Sequence, residues 1–443
     1  MLLDSFTRQL KANAEDNCRI VLAFSGGIDS RVMLDLLSSF RQRFPQYRYL
    51  AVHIHHGLSQ EADAWQAKCK QWTKEAGIEF ATSNVEVHSG SRVSLEQAAR
   101  DARYHALSQY VSAGDLLLTA QHSDDQLETF LLALKRGSGP SGLSAMAATR
   151  PFYQATLVRP LLAHSRTEIE TYASQHKLEW VEDKSNQDQR FDRNFIRHEI
   201  APPLVARWPG LRKSVARSAL LCAEQELLLS ELLADKLTML MGTQGELDVK
   251  RLELESERCR NYLLRQWCAL HQVLMPSRVQ LAEIWNKVAC ANQQANPLME
   301  IHNYQVRRHQ HALYLLHKHN DVSQWQASLV DSIELPDHLG VLSFSTKDKT
   351  GGSDRGLLIR TPQAGEVVTV KFAIEGLSAQ PSGRAHSRKL KKLYQEYGVP
   401  SWARRRTPLI FYGEELAAVA DLFVCKSFIT DNSELESHLF WNK

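Results

Sequence analysis

Residues 19–30, Arg-Ile-Val-Leu-Ala-Phe-Ser-Gly-Gly-Ile-Asp-Ser, decide the fold. The apolar run Arg19–Phe24 reads as a short buried strand, and the glycines after it turn tightly into a helical pattern through Arg31–Phe40. Gly26 and Gly27 let the backbone approach an anion with no Cβ in the way. The N–H groups that open the helix at Ile28, with the helix dipole behind them, can then hold a phosphate or pyrophosphate. Ser25 and Ser30 add hydroxyls, and Asp29 offers a carboxylate for Mg2+ or for a ribose-phosphate edge. A plain glycine turn between strand and helix is the bland alternative. The joint occurrence of strand, both serines, the aspartate and the helix favours the phosphate cradle.

Two rival phosphate motifs fail. No GxxxxGK[ST] occurs, so the chain is not a Walker-type NTPase. Gly137-Ser-Gly139-Pro-Ser-Gly142 matches GxGxxG in letters, but it follows a helix where the dinucleotide fingerprint requires a strand.

Outward from the loop, Tyr49–Ile54 is a second strand candidate and Glu61–Ala76 a helix. Leu116–Ala120 is a third strand candidate, with a helix from Asp124 to Lys135. Strands alternating with helices predict an α/β fold, a parallel sheet covered on both faces, with ligands at the carboxyl ends of the strands. From Trp208 the texture changes. Leu211, Val215, Ala219, Cys222, Leu229, Leu233, Leu237 and Leu240 recur at helical spacing and predict a long amphipathic helix. Helices over Glu257–His271 and Arg278–Ala291 follow, the latter capped by Ser277, then a hairpin of Leu298–Arg307 and His311–Leu316. Trp208, Trp267 and Trp285 read as core. Ser345–Arg355 is polar and glycine-containing, a linker. The predicted division is therefore a parallel-sheet domain at 1–215, a mainly helical domain at 216–330 and a small α+β domain at 356–443.

Composition agrees with several soluble cores. The chain has 443 residues, 43% hydrophobic and 23% charged, with a formal charge of +3. Seven scattered cysteines without a CxxC pair argue against a disulfide framework, a zinc ribbon or an iron–sulfur centre. The N-terminus is amphipathic with acids, unlike a targeting peptide, and no apolar run reaches the roughly 18 residues of a membrane span. The expectation is a cytoplasmic protein without membrane contact.

Further segments sharpen this picture: His53-Ile-His-His-Gly57, Glu96-Gln-Ala-Ala-Arg100-Asp-Ala-Arg103-Tyr104, and Gln121-His122-Ser-Asp124-Asp125-Gln126-Leu-Glu128. Gly142-Leu-Ser-Ala-Met146, Arg159-Pro-Leu161, Trp180-Val-Glu-Asp183 and Arg193-Asn194-Phe-Ile-Arg197 come next, then His386–Tyr394 and Val399-Pro-Ser-Trp402. With Ser25–Ser30 as a PP-loop of the N-type ATP pyrophosphatases, this ordered set resembles the tRNA(Ile)-lysidine synthetase family over nearly the whole chain. Gln121 stands where members often carry histidine. The resemblance implies ATP, Mg2+, free L-lysine and a tRNA(Ile) with a CAU anticodon as ligands, and no required protein partner. It implies attack of the wobble cytosine O2 on the α-phosphate of ATP. The lysine ε-amine then displaces AMP from C2, giving lysidine and changing the decoded codon from AUG to AUA. Under this resemblance 216–330 and 356–443 become tRNA-recognition domains.

The candidate catalytic residues are Asp125, Glu128, Arg103 and Arg197, with Arg100, His122, Asp124 and Arg193 as further candidates. Carboxylates at the start of a helix can bind Mg2+, here through Asp29 and Asp125, or take the proton of the lysine ammonium. They can also merely complement the helix dipole. The arginines can meet developing phosphate charge or form surface ion pairs. His53, His55 and His56 lack further ligands at metal spacing and read as framing the adenosine pocket. Between Arg384 and Arg406 eight basic residues face Glu396 alone. Arg388, Lys389, Lys391 and Lys392 are the tRNA-binding candidates, with Arg388, Lys391 and Lys392 on one face if His386–Tyr394 is helical. Competing readings are a PP-loop amidotransferase or thiolase, which lack their expected cysteines here, and a silent RNA-binding protein on a relic nucleotide fold.

Overall fold

Alternate residues of the first strand enter different cores. In β1 (Arg19–Ala23) Ile20 and Leu22, followed by Phe24, join one apolar cluster, while Val21 joins another on the opposite face. A strand buried on both faces needs helices on both sides, and the sequence supplies them. The computed structural model describes residues 2–55, 61–85, 95–292, 295–345, 356–430 and 436–443. It divides into two compact units, Met1–Leu232 and Leu233–Lys443.

After α1 (Leu2–Asn13) and β1, the first unit continues with α2 (Ile28–Arg43), β2 (Arg48–His55), α3 (Ala62–Glu75), β3 (Glu79–Asn84) and α4 (Leu95–Ser108). Then come β4 (Leu116–Leu118), α5 (Ser123–Lys135), α6 (Pro140–Leu143), the hairpin β5 (Thr149–Phe152) and β6 (Ala155–Val158), and α7 (Arg166–Gln175). Helix α8 (Asp192–Phe195) runs through a π-turn at Ile196–Ile200 into α9 (Ala201–Arg207), and α10 (Leu211–Leu240) leads into the second unit. The sheet order is β3-β2-β1-β4-β6-β5, parallel except for edge strand β5. The chain winds outward from β1 to β3, then returns to lay β4 on the other side of β1. That reversal opens a crevice beyond the carboxyl ends of β1 and β4. His53 on β2 holds the loop at the end of β1, its Nδ1 2.9 Å from the Phe24 carbonyl.

The α/β expectation holds, and several details differ. Leu116–Leu118 is the fourth strand in chain order. Glu79–Asn84, with the sequence EFATSN, lacks an apolar alternation because it is an edge strand only partly covered. In α10, Val215, Ala219, Leu237 and Leu240 are buried, while Leu229 and its neighbours Leu227 and Leu228 are exposed, so the predicted apolar face is covered only toward its ends. Trp267 is core as expected. Trp208 is instead more than half exposed, because it lies between α9 and α10 rather than on a packed face. His56 and Gly57 lie outside the described residues, as do residues 346–355 of the linker. Among the described residues no helix is long and apolar enough to cross a membrane, and all seven cysteines are free.

The second unit has helices at Val249–Glu253, Glu257–Leu270 and Arg278–Glu283 beside a four-stranded antiparallel sheet. Ser277 caps as expected, accepting from the Gln280 N–H at 3.2 Å. The helix it opens becomes a π-turn at Ile284–Ala289. Instead of a two-stranded hairpin, the strands are Leu298–Ile301, Tyr304–His309 and Ala312–His317, since a turn at His302-Asn303 divides the first candidate. Two further antiparallel sheets share one core with the helix Leu390–Glu396. Arg388 and Lys389 form a short strand before that helix, pairing with Ser378–Ala379. Arg388 therefore does not share a helical face with Lys391 and Lys392.

Trp267 is fully buried in the core of the second unit, and its indole N–H donates to the Gly245 carbonyl at 2.7 Å. Trp267→Ala should cost about 3–5 kcal/mol, read by guanidinium unfolding. A loss under 1 kcal/mol, well below that range, would mean this core is misassigned.

Candidate active site

Backbone geometry shapes the loop at the end of β1. Gly26 has φ +85°, a left-handed conformation that favours glycine. A Cβ there would come within 2.7 Å of Cys69 Sγ and 3.0 Å of Val181. Val181, in the segment Trp180–Asp183, donates its N–H to the Gly26 carbonyl at 3.0 Å. Both serines work on the loop itself. Ser30 Oγ donates to the Gly27 carbonyl at 2.9 Å and accepts from the Gly26 N–H at 3.1 Å, and Ser25 Oγ lies 3.1 Å from Ser30 Oγ. The first turn of α2 receives no side-chain cap. Its first N–H groups stand at the carboxyl end of β1, beside the crevice, an arrangement that accepts a phosphate.

Across the crevice His122 caps α5. Its Nδ1 accepts from the Asp124 N–H at 3.3 Å, while its own N–H donates to Asp125 Oδ2 at 3.0 Å, a capping box. Nε2 is the ring nitrogen turned toward Asp29 and Asp125. That atom lies 3.6 Å from Asp29 Oδ1 and 3.4 Å from Asp125 Oδ2, so one buried histidine joins the loops after β1 and β4.

Asp125 and Glu128 share a face of α5, as their spacing predicted, and meet the two arginines spaced four apart. Arg193 Nη2 donates to Asp125 at 2.7 Å and its Nε to Glu128 at 2.8 Å. Arg197 Nε and Nη2 reach Glu128 at 2.7 and 2.9 Å, and Nη2 also reaches Asp125 at 3.1 Å. Glu128 is only 2% exposed. Burial alone would raise the Asp125 carboxyl, but His122, Arg193 and Arg197 outweigh it and hold the group below the ordinary range. The result is a charge-balanced quartet.

Asp29 and Asp124 take partners that sequence reasoning did not select. Arg166 Nη1 contacts both oxygens of Asp29 at 3.0 and 2.8 Å, its N–H donates to Asp124 at 2.9 Å, and Arg212 Nε reaches Asp124 at 2.7 Å. One signal was available: Ser165-Arg-Thr-Glu168 is a capping box, which places Arg166 at the first position of a helix. Gln121 accepts from buried Arg159 at 3.2 Å, giving the departure at that position a definite partner. Gln126 clamps the backbone of Met146 with two 3.0 Å bonds, and Asn194 Nδ2 donates to the carbonyls of Ser185 and Asp188.

Arg100 and Arg103 lie on α4 with Tyr104, and the Arg100 guanidinium stacks on the Tyr104 ring. Arg388, Lys389, Lys391 and Lys392 belong to the second unit, all exposed. Arg388 and Arg384 both pair with Glu396, which removes part of the positive charge counted from the sequence.

The loop fits a nucleotide phosphate. Among the described residues no three His, Cys, Asp or Glu side chains converge as a preformed metal site. Mg2+ needs only one or two carboxylates when phosphate oxygens complete its shell. Asp29 fits that need. Burial raises its carboxyl against the pull of His122 and Arg166, with neighbouring Asp125 adding to the rise. Asp29 already meets Arg166, and Asp125 meets Arg193 and Arg197, so a bound ion would share these oxygens with guanidiniums.

Comparison with known proteins adds an independent line. Residues 2–204 match the family described as PP-loop domain, 247–314 the TilS substrate binding domain, and 368–441 the TilS substrate C-terminal domain. The tRNA(Ile)-lysidine synthase of Photobacterium profundum is 50% identical, covering 98% of this chain and 99% of its own. The protein of the same name from Vibrio campbellii is 46% identical over 100% of this chain and 99% of its own. Among solved structures, the U34-tRNA thiolase of Methanococcus maripaludis overlays at a TM-score of 0.42 and 17% identity, covering 50% of this chain and 80% of that one.

Removing one carboxylate from the quartet should be costly. Glu128→Gln is expected to lose about 3 kcal/mol, the scale for breaking a buried ion pair, measured by guanidinium unfolding. The pH dependence has a definite sign. Asp125 has a depressed folded pKa, so its stabilising contribution is complete above pH about 4, near its unfolded value. It disappears only as pH falls through the lower folded value. A stability loss between pH 7 and 5 that Asp125→Asn abolishes would contradict this assignment.

Proposed function

The chain belongs to the tRNA(Ile)-lysidine synthase family, and we propose from that membership and from the crevice geometry that it joins lysine to C2 of the wobble cytidine of a CAU-anticodon tRNA(Ile). Family membership gives ATP-dependent formation of lysidine on tRNA(Ile); in the reading proposed here it runs through an adenylated tRNA. The observation that carries the reading is the uncapped start of α2 facing His122 and Asp125 across the β1–β4 reversal.

In this reading the loop Ser25–Ser30 binds the departing pyrophosphate through the first N–H groups of α2, from Ile28 onward, while Ser25, Gly26, Gly27 and Ser30 hold the loop in shape. Mg2+, held by Asp29 and the ATP phosphates with Asp125 beside them, supplies charge neutralisation when bound. Arg193 and Arg197 are held in place by Asp125 and Glu128, and Arg103 lies on α4; their guanidiniums meet negative charge building on the α-phosphate. The lysine amine, ordinarily protonated up to pH about 10.4, must shed a proton before it attacks C2. Asp124, part-exposed beside His122, is the carboxylate proposed to take that proton. Asp125 and Glu128, covered by guanidiniums, act by positioning Arg193 and Arg197.

The parts at 216–330 and 356–443 recognise the tRNA, and the enzyme works in the cytoplasm on free lysine. Lys389, Lys391 and Lys392 are exposed and form no ion pair with a described carboxylate, unlike Arg388. They are the better phosphate contacts.

Pyrophosphate release should require tRNA, and Asp29→Ala should reduce it by on the order of 10² or more while the protein stays folded. Adenylation by Asp29→Ala at the wild-type rate would remove the loop assignment. Replacing Lys389, Lys391 and Lys392 with alanine should flatten the slope of log affinity for tRNA against log salt by up to about three. ATP affinity should stay unchanged. An unaltered slope would show that these lysines do not touch RNA.

A further inference from the structure

Buried guanidiniums normally sit against carboxylates. Arg159, which follows β6 and is 3% exposed, does not. Its Nε donates to Gln121 Oε1 at 3.2 Å and its Nη1 to the Ala147 carbonyl at 2.5 Å, both neutral partners. Two more arginines gather nearby on one aromatic ring. Arg100 on α4 and Arg150 on β5 lie 5.0 and 5.7 Å from the centroid of Tyr104, and Arg100 Nη2 also donates to the Tyr104 hydroxyl at 3.4 Å. Among the described residues the contacts of Arg100, Arg150 and Arg159 are to Tyr104, Gln121 and a backbone carbonyl. The cluster is electrostatically tight. Burial lowers the Arg159 pKa, and although Tyr104 opposes this, Arg150 and Arg100 lower it further.

Three like charges around one tyrosine repel one another, and one of them has also lost its water. An anion arriving among them relieves both costs. The place of the cluster identifies that anion. Gln121 directly precedes His122, so the cluster continues the crevice on the β4–β6 side, whereas the phosphate loop follows β1 on the other side of β4. A nucleotide seated on the loop leaves the β6 side to the second substrate. In RNA that substrate carries a phosphodiester on either side of the reacting base, and planar guanidinium or aromatic groups suit an unstacked nucleotide.

We propose that Arg100, Arg150 and Arg159, gathered on Tyr104, form a phosphate subsite that holds the RNA backbone beside the nucleotide being modified. This rests on the lysidine-forming reading above. The same chemistry would suit a phosphate of ATP, so both sources are tested.

Arg150 is exposed on an edge strand, which makes Arg150→Gln a mild substitution; Arg159→Lys keeps the charge but loses the planar fork. With the full-length protein, tRNA affinity would be measured from low to moderate salt, alongside KM for ATP. Arg150→Gln should weaken tRNA binding about five-fold and flatten the salt slope by about 0.7–0.9, the loss of one phosphate contact. Arg159→Lys should weaken tRNA binding with KM for ATP unchanged. Wild-type tRNA affinity and slope in both variants would overturn the subsite, and so would a KM for ATP that rises as much as tRNA binding falls. The wild-type enzyme, assayed alongside for tRNA- and lysine-dependent pyrophosphate release, separates the two ideas. If wild type is inactive the enzymatic reading fails; if it is active and the variants match it, only the subsite fails.

Discussion

The pairing of Asp125 and Glu128 with Arg193 and Arg197 is the constraint on which the candidate site depends. Two buried carboxylates at the crevice wall are covered by two half-buried guanidiniums, and each charge is tolerable only because the others are in place. Residues 65 to 72 positions apart in the chain are brought within hydrogen-bond distance, which fixes α8 and the π-turn after it against α5. The constraint then extends inward. Asp125 also accepts the His122 N–H, and the His122 ring lies between Asp125 and Asp29. Fixing the quartet thus fixes the distance between the two loops that face each other across the reversal point.

Helix capping gives a second view of the same site. Helix α5 is capped by His122 and α7 by Ser165, each through a side chain that takes up an orphan N–H. Helix α2 starts at a glycine with no such cap, although serines stand close by. Those serines bond within the loop instead, so the first-turn N–H groups stay open to an external acceptor. Stability is forgone at one helix start where an anion is to be bound, while the other two are closed.

Features carried by local periodicity were legible in the sequence. The loop at Ser25–Ser30, the helices on either side of the sheet and the capped start at Ser277 depend on neighbours in the chain, and each stands where expected. Edge strand β3 did not, because a partly covered strand needs no apolar alternation. The ion-pair partners did not either. Arg166 meets Asp29 across 137 residues and Arg212 meets Asp124 across 88, separations that leave no pattern in a single sequence. In the basic segment the residues were visible but their state was not. Glu396 takes both Arg384 and Arg388, and a short strand replaces the first part of the expected helix. Charge counted along a chain overstates charge available at a surface.

In the function proposed above, the crevice serves formation of a carbon–nitrogen bond between lysine and a tRNA base at the expense of ATP. Labelled lysine incorporated into CAU-anticodon tRNA(Ile) tests it most directly, followed by mild alkali. An aminoacyl ester hydrolyses under those conditions and a base–amine bond does not. The label is expected to survive alkali, in a one-to-one ratio with AMP formed. Label released by alkali, or AMP formed equally well without tRNA, would contradict it.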